Sequence, residues 1–493
     1  MTKRYRPYAP EQTYLLPPSP REWLPDGHLA YFILALVQEL DLRAIERVVH
    51  AKDPRGERPY SPEMMTALLL YAYATGVYSS RRISRACVED VAFRVLAGGG
   101  QPHFTTVNEF RATHLEALGA LFVQVLKACQ SQGLVKLGHV AIDGTKMKAN
   151  ASKHKAMSYD RMEKDDVRLR AEIQEWFERA EATDADEDAV HGVHDPKEEI
   201  RLRQERLAKM AAAKEALKKE VAAARAARLR EQAEELRKKA EDPRRAPPKR
   251  AEAATLAKKR DQQASLFDDD DPSPPPPSVD ADLPRNVPPH QPDGTPKPKA
   301  QRNFTDPDSR IMVRDGAFIQ AYNAQIAVDD EHQIIVAAAI SNQSPDNEYF
   351  EPMLRRVVEN CDAVPDTATA DSGYFSASAV CFAEHVGVEP FISVGKHRND
   401  GTQEATSAKP QHRTEAKQRM RAILESDRGR AIYARRKATV EPVFGQIRSP
   451  RRFGQFSFRG LLRNRCEWLL VCLTHNVLKL WRAAGPDRLA LKA

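Results

Sequence analysis

The chain has 493 residues, of which 41% are hydrophobic, 7% aromatic and 29% charged; at about 150 residues per domain this is room for two to four domains with a sizeable core. A single small module is excluded, and full disorder is disfavoured. Net charge is +7, from 76 Lys and Arg against 69 Asp and Glu, so any nucleic-acid signal must come from where the charge sits, not from its total.

Six cysteines (Cys87, Cys129, Cys361, Cys381, Cys466, Cys472) stand singly, without C-x-x-C spacing, and are expected to be reduced core residues of a cytosolic protein. The start, Met1-Thr-Lys-Arg-Tyr-Arg-Pro-Tyr, lacks the apolar stretch of a signal peptide. The longest uncharged run, between Glu63 and Arg81, contains Thr66, Gly76, Ser79 and Ser80 and is too polar for a spanning helix. The expected location is the cytoplasm, with no membrane segment.

After an N-terminal arm of residues 1–25, residues 26–132 read as a helical domain. Ile33, Leu34, Leu36, Val37, Leu40 and Leu42 recur at helical spacing, and Ser61-Pro62-Glu63 supplies an N-cap and a first-turn proline for a helix towards Tyr78. Further helices are expected around Val88 to Leu96 and from Thr105 onward, beyond the Gly98-Gly99-Gly100 break. Helix starts rich in Ser, Thr, Asn and Arg suit either a DNA-binding domain or an ordinary capped bundle. Within 133–158, Leu137 to Ile142 reads as a short buried strand that ends in Asp143-Gly144.

Residues 159–245 predict a charged helical hairpin, with helices over Tyr159 to Ala182 and Lys197 to Glu241 and no Pro or Gly inside either. Ile200, Leu207 and Val221 share one heptad position and Met210, Leu217 and Ala224 another. Arg203, Lys214, Arg228 and Glu231 interrupt both, and the stripe resumes in a new phase at Leu229, Ala233, Leu236 and Ala240. A weak coiled coil with a phase break, able to self-associate, is the alternative. His191 and His194 beside Asp184, Asp186, Asp188 and Asp195 read as a solvated turn. Residues 246–309 read as a Pro-rich disordered linker, because residues 271–300 hold 11 of the 34 prolines. From 310 to 485 strands and helices alternate: strands Ala317 to Val328 and Gln333 to Ile340 around a turn at 329–332, a helix from Tyr349 to Glu359, a strand ending in Asp371, a helix from Ser376 to His385, and a strand from Val388 to Val394.

Two strands thus end in Asp143-Gly144 and Asp371-Ser372-Gly373, and one conspicuous carboxylate, Glu441, follows in Tyr433-Ala-Arg-Arg-Lys-Ala-Thr-Val-Glu441-Pro-Val-Phe-Gly-Gln-Ile-Arg448. Three carboxylates on three elements of an α/β core can hold two Mg²⁺ ions, or Mn²⁺ as a substitute, for phosphodiester chemistry. Residues 411–460 carry 13 Lys or Arg against 4 Asp or Glu, which places basic charge around the third carboxylate, where a phosphate backbone would have to be held. Phe444, Phe453, Phe456 and Phe458 interleave with Arg448, Arg451, Arg452 and Arg459, which argues against a purely solvated face.

These residues resemble the DDE transposases of bacterial insertion sequences, in the group whose third motif reads Tyr-x2-Arg-x3-Glu-x6-Lys. The resemblance rests on Val140-Ala-Ile-Asp143-Gly-Thr-Lys, Ala368-Thr-Ala-Asp371-Ser-Gly-Tyr-Phe, Ala321-Tyr-Asn-Ala-Gln-Ile-Ala-Val-Asp329, and on Tyr433, Arg436, Glu441 and Arg448. Four residues separate Arg436 from Glu441 where the motif has three, a spacing that Lys437 meets, and Arg448 stands where the motif has Lys. The resemblance implies an RNase H-like catalytic core, a mixed five-stranded sheet with helices, preceded by the all-α domain and interrupted by the charged hairpin and linker. It also implies two divalent metal ions held by Asp143, Asp371 and Glu441, and cleavage and strand transfer at an element's terminal inverted repeats. DNA contacts are expected from Tyr433, Arg435, Arg436, Lys437, Arg448, Arg451 and Arg452, with double-stranded DNA and a second copy of the chain as partners. A nuclease without transposition and a non-catalytic DNA-binding scaffold are the alternatives.

Overall fold

The computed structural model describes residues 19, 22–51, 58–184, 196–242, 245–267, 282–291, 293–395 and 411–484. The His191/His194 turn and most of the N-terminal arm lie outside them. Seven helices come first: α1 (Leu29–Glu39), α2 (Arg43–His50), α3 (Pro62–Ala74), α4 (Ser80–Glu89), α5 (Val91–Leu96), α6 (Phe104–Thr113) and α7 (Leu115–Ser131). Ser61 caps α3 through its hydroxyl, with Pro62 in the first turn, as the local sequence dictates. Every residue of α3 from Met65 to Ala74 is buried, so it is the central helix of this region, wrapped by the others.

The chain then runs β1 (His139–Lys148), β2 (Ala156–Ser158), α8 (Tyr159–Asp184), α9 (Pro196–Glu241), α10 (Pro247–Ser265), β3 (Gln301–Asn303), β4 (Arg310–Arg314), β5 (Ala317–Asp329), β6 (Ile335–Ser341), α11 (Phe350–Cys361), β7 (Thr367–Ala370), α12 (Ala377–Val386), β8 (Glu389–Ile392), α13 (Gln411–Glu425), α14 (Asp427–Arg448) and α15 (Leu461–Ala484). The main sheet is mixed and has six strands rather than five. β1 pairs antiparallel with β5 on one side and parallel with β7 on the other, and β7 pairs parallel with β8. β6 pairs with the second half of β5. β4 is the added strand: Ala321 of β5 faces Lys148 of β1 on one side and Arg310 of β4 on the other, so β4 continues the edge that β6 occupies.

Three expectations change. Residues 247–265, read as linker, form α10, which packs along α9 through Ala253, Ala257 and Ala264. Its two prolines occupy the first turn, where a missing N–H costs nothing, and the rest is rich in helix-forming Ala, Lys and Gln. Among the described residues the charged insertion is therefore three helices, not two. Residues 282–291 and 293–309 are packed rather than loose: Leu283 and Ala300 are buried, β3 pairs with β2, and Asp282 meets Arg356 at 2.6 Å. Proline density predicts extended chain, and extended chain can lie against a core as well as in water. The boundary at residue 132 is not a break in packing, since α3 and α7 both lie on α15 and one apolar cluster runs from Leu29 through the sheet to Leu480. Five of the six cysteines are buried and Cys381 is exposed.

Candidate active site

Parallel pairing of β1 with β7 positions the two aspartates. The register runs His139 to Thr367, Val140 to Ala368 and Ala141 to Thr369. Two residues beyond the last pair it brings Asp143 level with Asp371, on neighbouring strands about 4.8 Å apart. Asp143 sits in the middle of β1. Asp371 follows β7 directly and accepts the Gly373 N–H at 2.8 Å, capping a short turn over Ser372–Tyr374.

Burial pushes the Asp143 carboxyl up to about 6, with the charge of Asp371 adding to the rise and the Gly144 N–H and Arg436 opposing it. Arg436, on α14, donates to Asp143 Oδ2 at 2.9 Å, and both side chains are largely buried. The guanidinium thus occupies the place of a counter-cation for two converging carboxylates.

Glu441 lies on a different face of the same helix. Arg436, Val440, Val443, Phe444 and Ile447 form the buried face of α14, whereas Lys437, Glu441 and Arg448 fall together along a neighbouring stripe, on which Lys437 and Glu441 are exposed. Pro442 is accommodated inside α14 because the carbonyl its missing N–H would have engaged, that of Ala438, accepts from Gln333 Nε2 at 3.1 Å instead. Among the described residues, no group of three or more His, Cys, Asp or Glu side chains is arranged to hold a metal ion. The structure brings Asp143 and Asp371 together and leaves Glu441 apart from them.

The basic residues expected to meet DNA divide sharply. Lys437 and Arg452 are exposed. Arg435 is exposed but ion-paired with Asp330, and Tyr433, half-buried, lies under the Arg436 guanidinium. Arg448 is half-buried over the Phe444 ring, with its Nε and Nη2 unpaired and burial and Arg314 lowering its proton affinity. Arg451 is a correction. Only 4% exposed, it donates to the Tyr73 carbonyl at 3.2 Å, to the Val471 carbonyl at 3.0 Å and to the Thr474 hydroxyl, so it fastens the α14–α15 link to α3 and α15 instead of meeting DNA. Phe444, Phe453, Phe456 and Phe458 all point inward.

Two family comparisons bear on this geometry. Residues 293–477 match the family described as Transposase DDE domain, and residues 18–113 match the one described as Transposase domain (DUF772). Both describe transposases, and together they span more than half of the chain. The chain belongs to the DDE transposases. A search of curated proteins and one of solved structures find no match. Asp143 lies between the two matched segments, whereas Asp371 and Glu441 fall within residues 293–477.

Asp143 and Asp371 fit a divalent cation as donors: both are hard oxygen ligands, brought level by the β1–β7 register. Sequence reasoning missed a polar cluster beside this pair in the transposase. Asp346, in the β6–α11 loop, accepts from Lys146 Nζ at 3.1 Å, Asn323 Nδ2 at 2.7 Å and Gln325 Nε2 at 2.9 Å. Tyr374, fully buried, donates its hydroxyl to Gln325. Burial, Asp346, Asp143 and Asp371, in that order, hold the phenol well above its usual range. The available signal was Asn323 and Gln325, two amides at alternate positions in a strand otherwise apolar from Ala321 to Val328. Among the described residues no helix is long and apolar enough to cross a membrane.

Proposed function

We propose that the protein binds the terminal inverted repeats of its own insertion sequence and catalyses metal-dependent strand cleavage and strand transfer, acting as a homodimer on paired DNA ends. The observation that carries this reading is the levelling of Asp143 with Asp371 by the β1–β7 register. A mixed sheet with both aspartates on adjacent parallel strands is what an RNase H-like core requires of its first two carboxylates. Asp143 and Asp371 would hold Mg²⁺, or Mn²⁺ in its place, and Glu441, apart from them in this structure, would complete the set for two ions only by a shift of α14. When bound, the cations supply Lewis-acid activation of the attacking water or 3′-hydroxyl and of the leaving oxygen. The chain's own share is electrostatic and positional. Arg436 balances the carboxylate pair while no cation does, the exposed Lys437 beside Glu441 offers a phosphate contact, and the Asp346 cluster ties β1 to β5 beside the pair.

The decisive experiment is a denaturing-gel assay with Mg²⁺ or Mn²⁺ on labelled DNA spanning both ends of the gene, comparing wild type with Asp143→Asn and Glu441→Gln. Cleavage at matched ends by wild type, reduced at least about a thousandfold in both variants, is expected. Cleavage surviving Asp143→Asn would overturn the assignment, and cutting without end preference would make the protein a nuclease.

A further inference from the structure

We propose that the exit of β1 and the link between α14 and α15 form one track for the sugar-phosphate backbone of duplex DNA; this deepens the function proposed above and rests on it. No Asp or Glu occurs between Asp143 and Asp160, and none between Glu441 and Glu467. The fold places these two acid-free stretches side by side. The Phe456 N–H donates to the Lys148 carbonyl at 2.9 Å, Gln455 Nε2 to the Ala149 carbonyl at 3.0 Å, Asn150 Nδ2 to the Ser457 carbonyl at 2.8 Å, and Arg459 Nε to the Asn150 carbonyl at 3.3 Å.

The resulting surface is cationic and held rigid from behind. Lys148, Lys153, Lys155, Arg452, Arg459 and Arg463 are exposed on it. Phe453, Phe456 and Phe458 anchor the link inward, and Arg451 fastens it to α3. The approach is close enough that a Cβ on Gly76 would stand 2.6 Å from the Arg451 carbonyl oxygen. Four arginines elsewhere on the catalytic half are answered instead. Arg419 pairs with Glu384, Arg428 with Glu389, Arg430 with Asp427 and Arg435 with Asp330. A surface that concentrates cations with no acid in its own two segments, Asp306 and Asp308 being engaged by the Gly460 and Leu461 N–H groups, fits a polyanion.

Its placement selects the polyanion. β1 carries Asp143 and, five residues on, Lys148, so the track starts about 16 Å from the carboxylate pair, about half a turn of duplex away. Lys and Arg side chains on phosphates fix register without reading sequence. The track therefore positions any duplex, leaving end recognition to another surface.

The test uses the full-length protein and two labelled duplexes of equal length, one carrying the end of its own element and one scrambled, with affinity measured by fluorescence anisotropy across a salt series. The fourfold variant K148A/K153A/K155A/R463A is expected to weaken binding to both duplexes alike, by at least tenfold. The slope of log affinity against log salt should become shallower by about three to four, at about 0.9 per lost phosphate contact. The melting temperature should stay within the error of wild type, because all four side chains are exposed. The charge-keeping variant K148R/K153R/K155R retains the wild-type slope if the track acts through charge. An unchanged slope in the fourfold variant, with wild type still binding, overturns the track and leaves the proposed function standing. A loss confined to the end-carrying duplex also overturns it, since that would be sequence reading. Wild type that binds neither duplex overturns both proposals.

Discussion

The α8–α10 insertion and the surface formed by residues 148–155 and 452–463 are both densely charged, yet they handle charge in opposite ways. In the insertion, cations are answered locally: Lys164 by Asp160, Arg170 by Asp166, Arg203 by Glu172, Arg206 by Asp165, Lys238 by Glu234. Its buried face is small and apolar, with Met210, Leu217, Val221, Ala226 and Ala233 inside. The other surface has no acid in its sequence, and its aromatic residues are spent on anchoring. Charge density alone therefore says little about a polyanionic partner, while the ratio of answered to unanswered charge says a good deal.

Two adjacent residues put that contrast to its hardest test. Replacing Arg451 by Met leaves the Tyr73 and Val471 carbonyls and the Thr474 hydroxyl without their buried donor, and should cost about 3 kcal/mol in urea unfolding. Replacing Arg452, exposed and next in sequence, by Ala should leave stability unchanged and make the DNA-binding salt slope shallower by about 0.9. If the two variants behaved alike in both measurements, the division between anchoring and DNA-facing arginines would fail.

The same pair marks how far sequence alone could reach. The strand end at Asp371, the α3 cap, the β5–β6 hairpin and helices α8 and α9 were legible because each rests on local chemistry: caps, alternation, helix-forming composition. The strand expected to stop at Asp143 instead runs on to Lys148, because its second half is paired along its length by β5. Arg451 and Arg452 are chemically identical in sequence, and only the approach of the link to Gly76 and Tyr73, hundreds of residues away, sends one inward. Proline counting misjudged residues 247–265, since it weighs composition without asking whether the prolines sit in a first turn. Asp346 was invisible because its three partners come from β1 and β5, and a register that aligns Lys146 with Asn323 is a tertiary fact. β4 likewise adds an edge strand that the local pattern of residues 310–314 does not announce.

A third way of handling charge is to abolish it, and His475 on α15 does so. Fully buried, its Nε2 lies 2.9 Å from the Gln333 carbonyl oxygen. Burial, reinforced by Arg451, Lys479 and Arg482, lowers its proton affinity to about 3 from the usual 6.5, against the opposing bond to Gln333. The folded protein thus keeps the imidazole neutral where the unfolded chain would protonate it. This residue's contribution is complete above pH 6.5 and is lost as pH falls towards 3, at up to about 1.4 kcal/mol per pH unit. Chemical unfolding of His475→Gln between pH 7 and 4 should show a shallower acid decline than wild type. Equal slopes would mean that the acid sensitivity belongs to other groups.

The smallest expected effect is the most exacting for the comparison. Glu234 and Lys238 form an exposed i,i+4 pair at 3.1 Å on α9. Exchanging them, as E234K/K238E, keeps the net charge and the pairing but reverses the orientation that suits the helix dipole, which is worth at most about 0.5 kcal/mol. Thermal unfolding should barely move, and the salt slope for duplex DNA should not move at all, because a cation already answered by its neighbour releases no counterion from the nucleic acid. A change in that slope would mean that the insertion also lies on DNA. Local pairing would then have failed to distinguish the charges that stabilise the protein from those that hold its substrate.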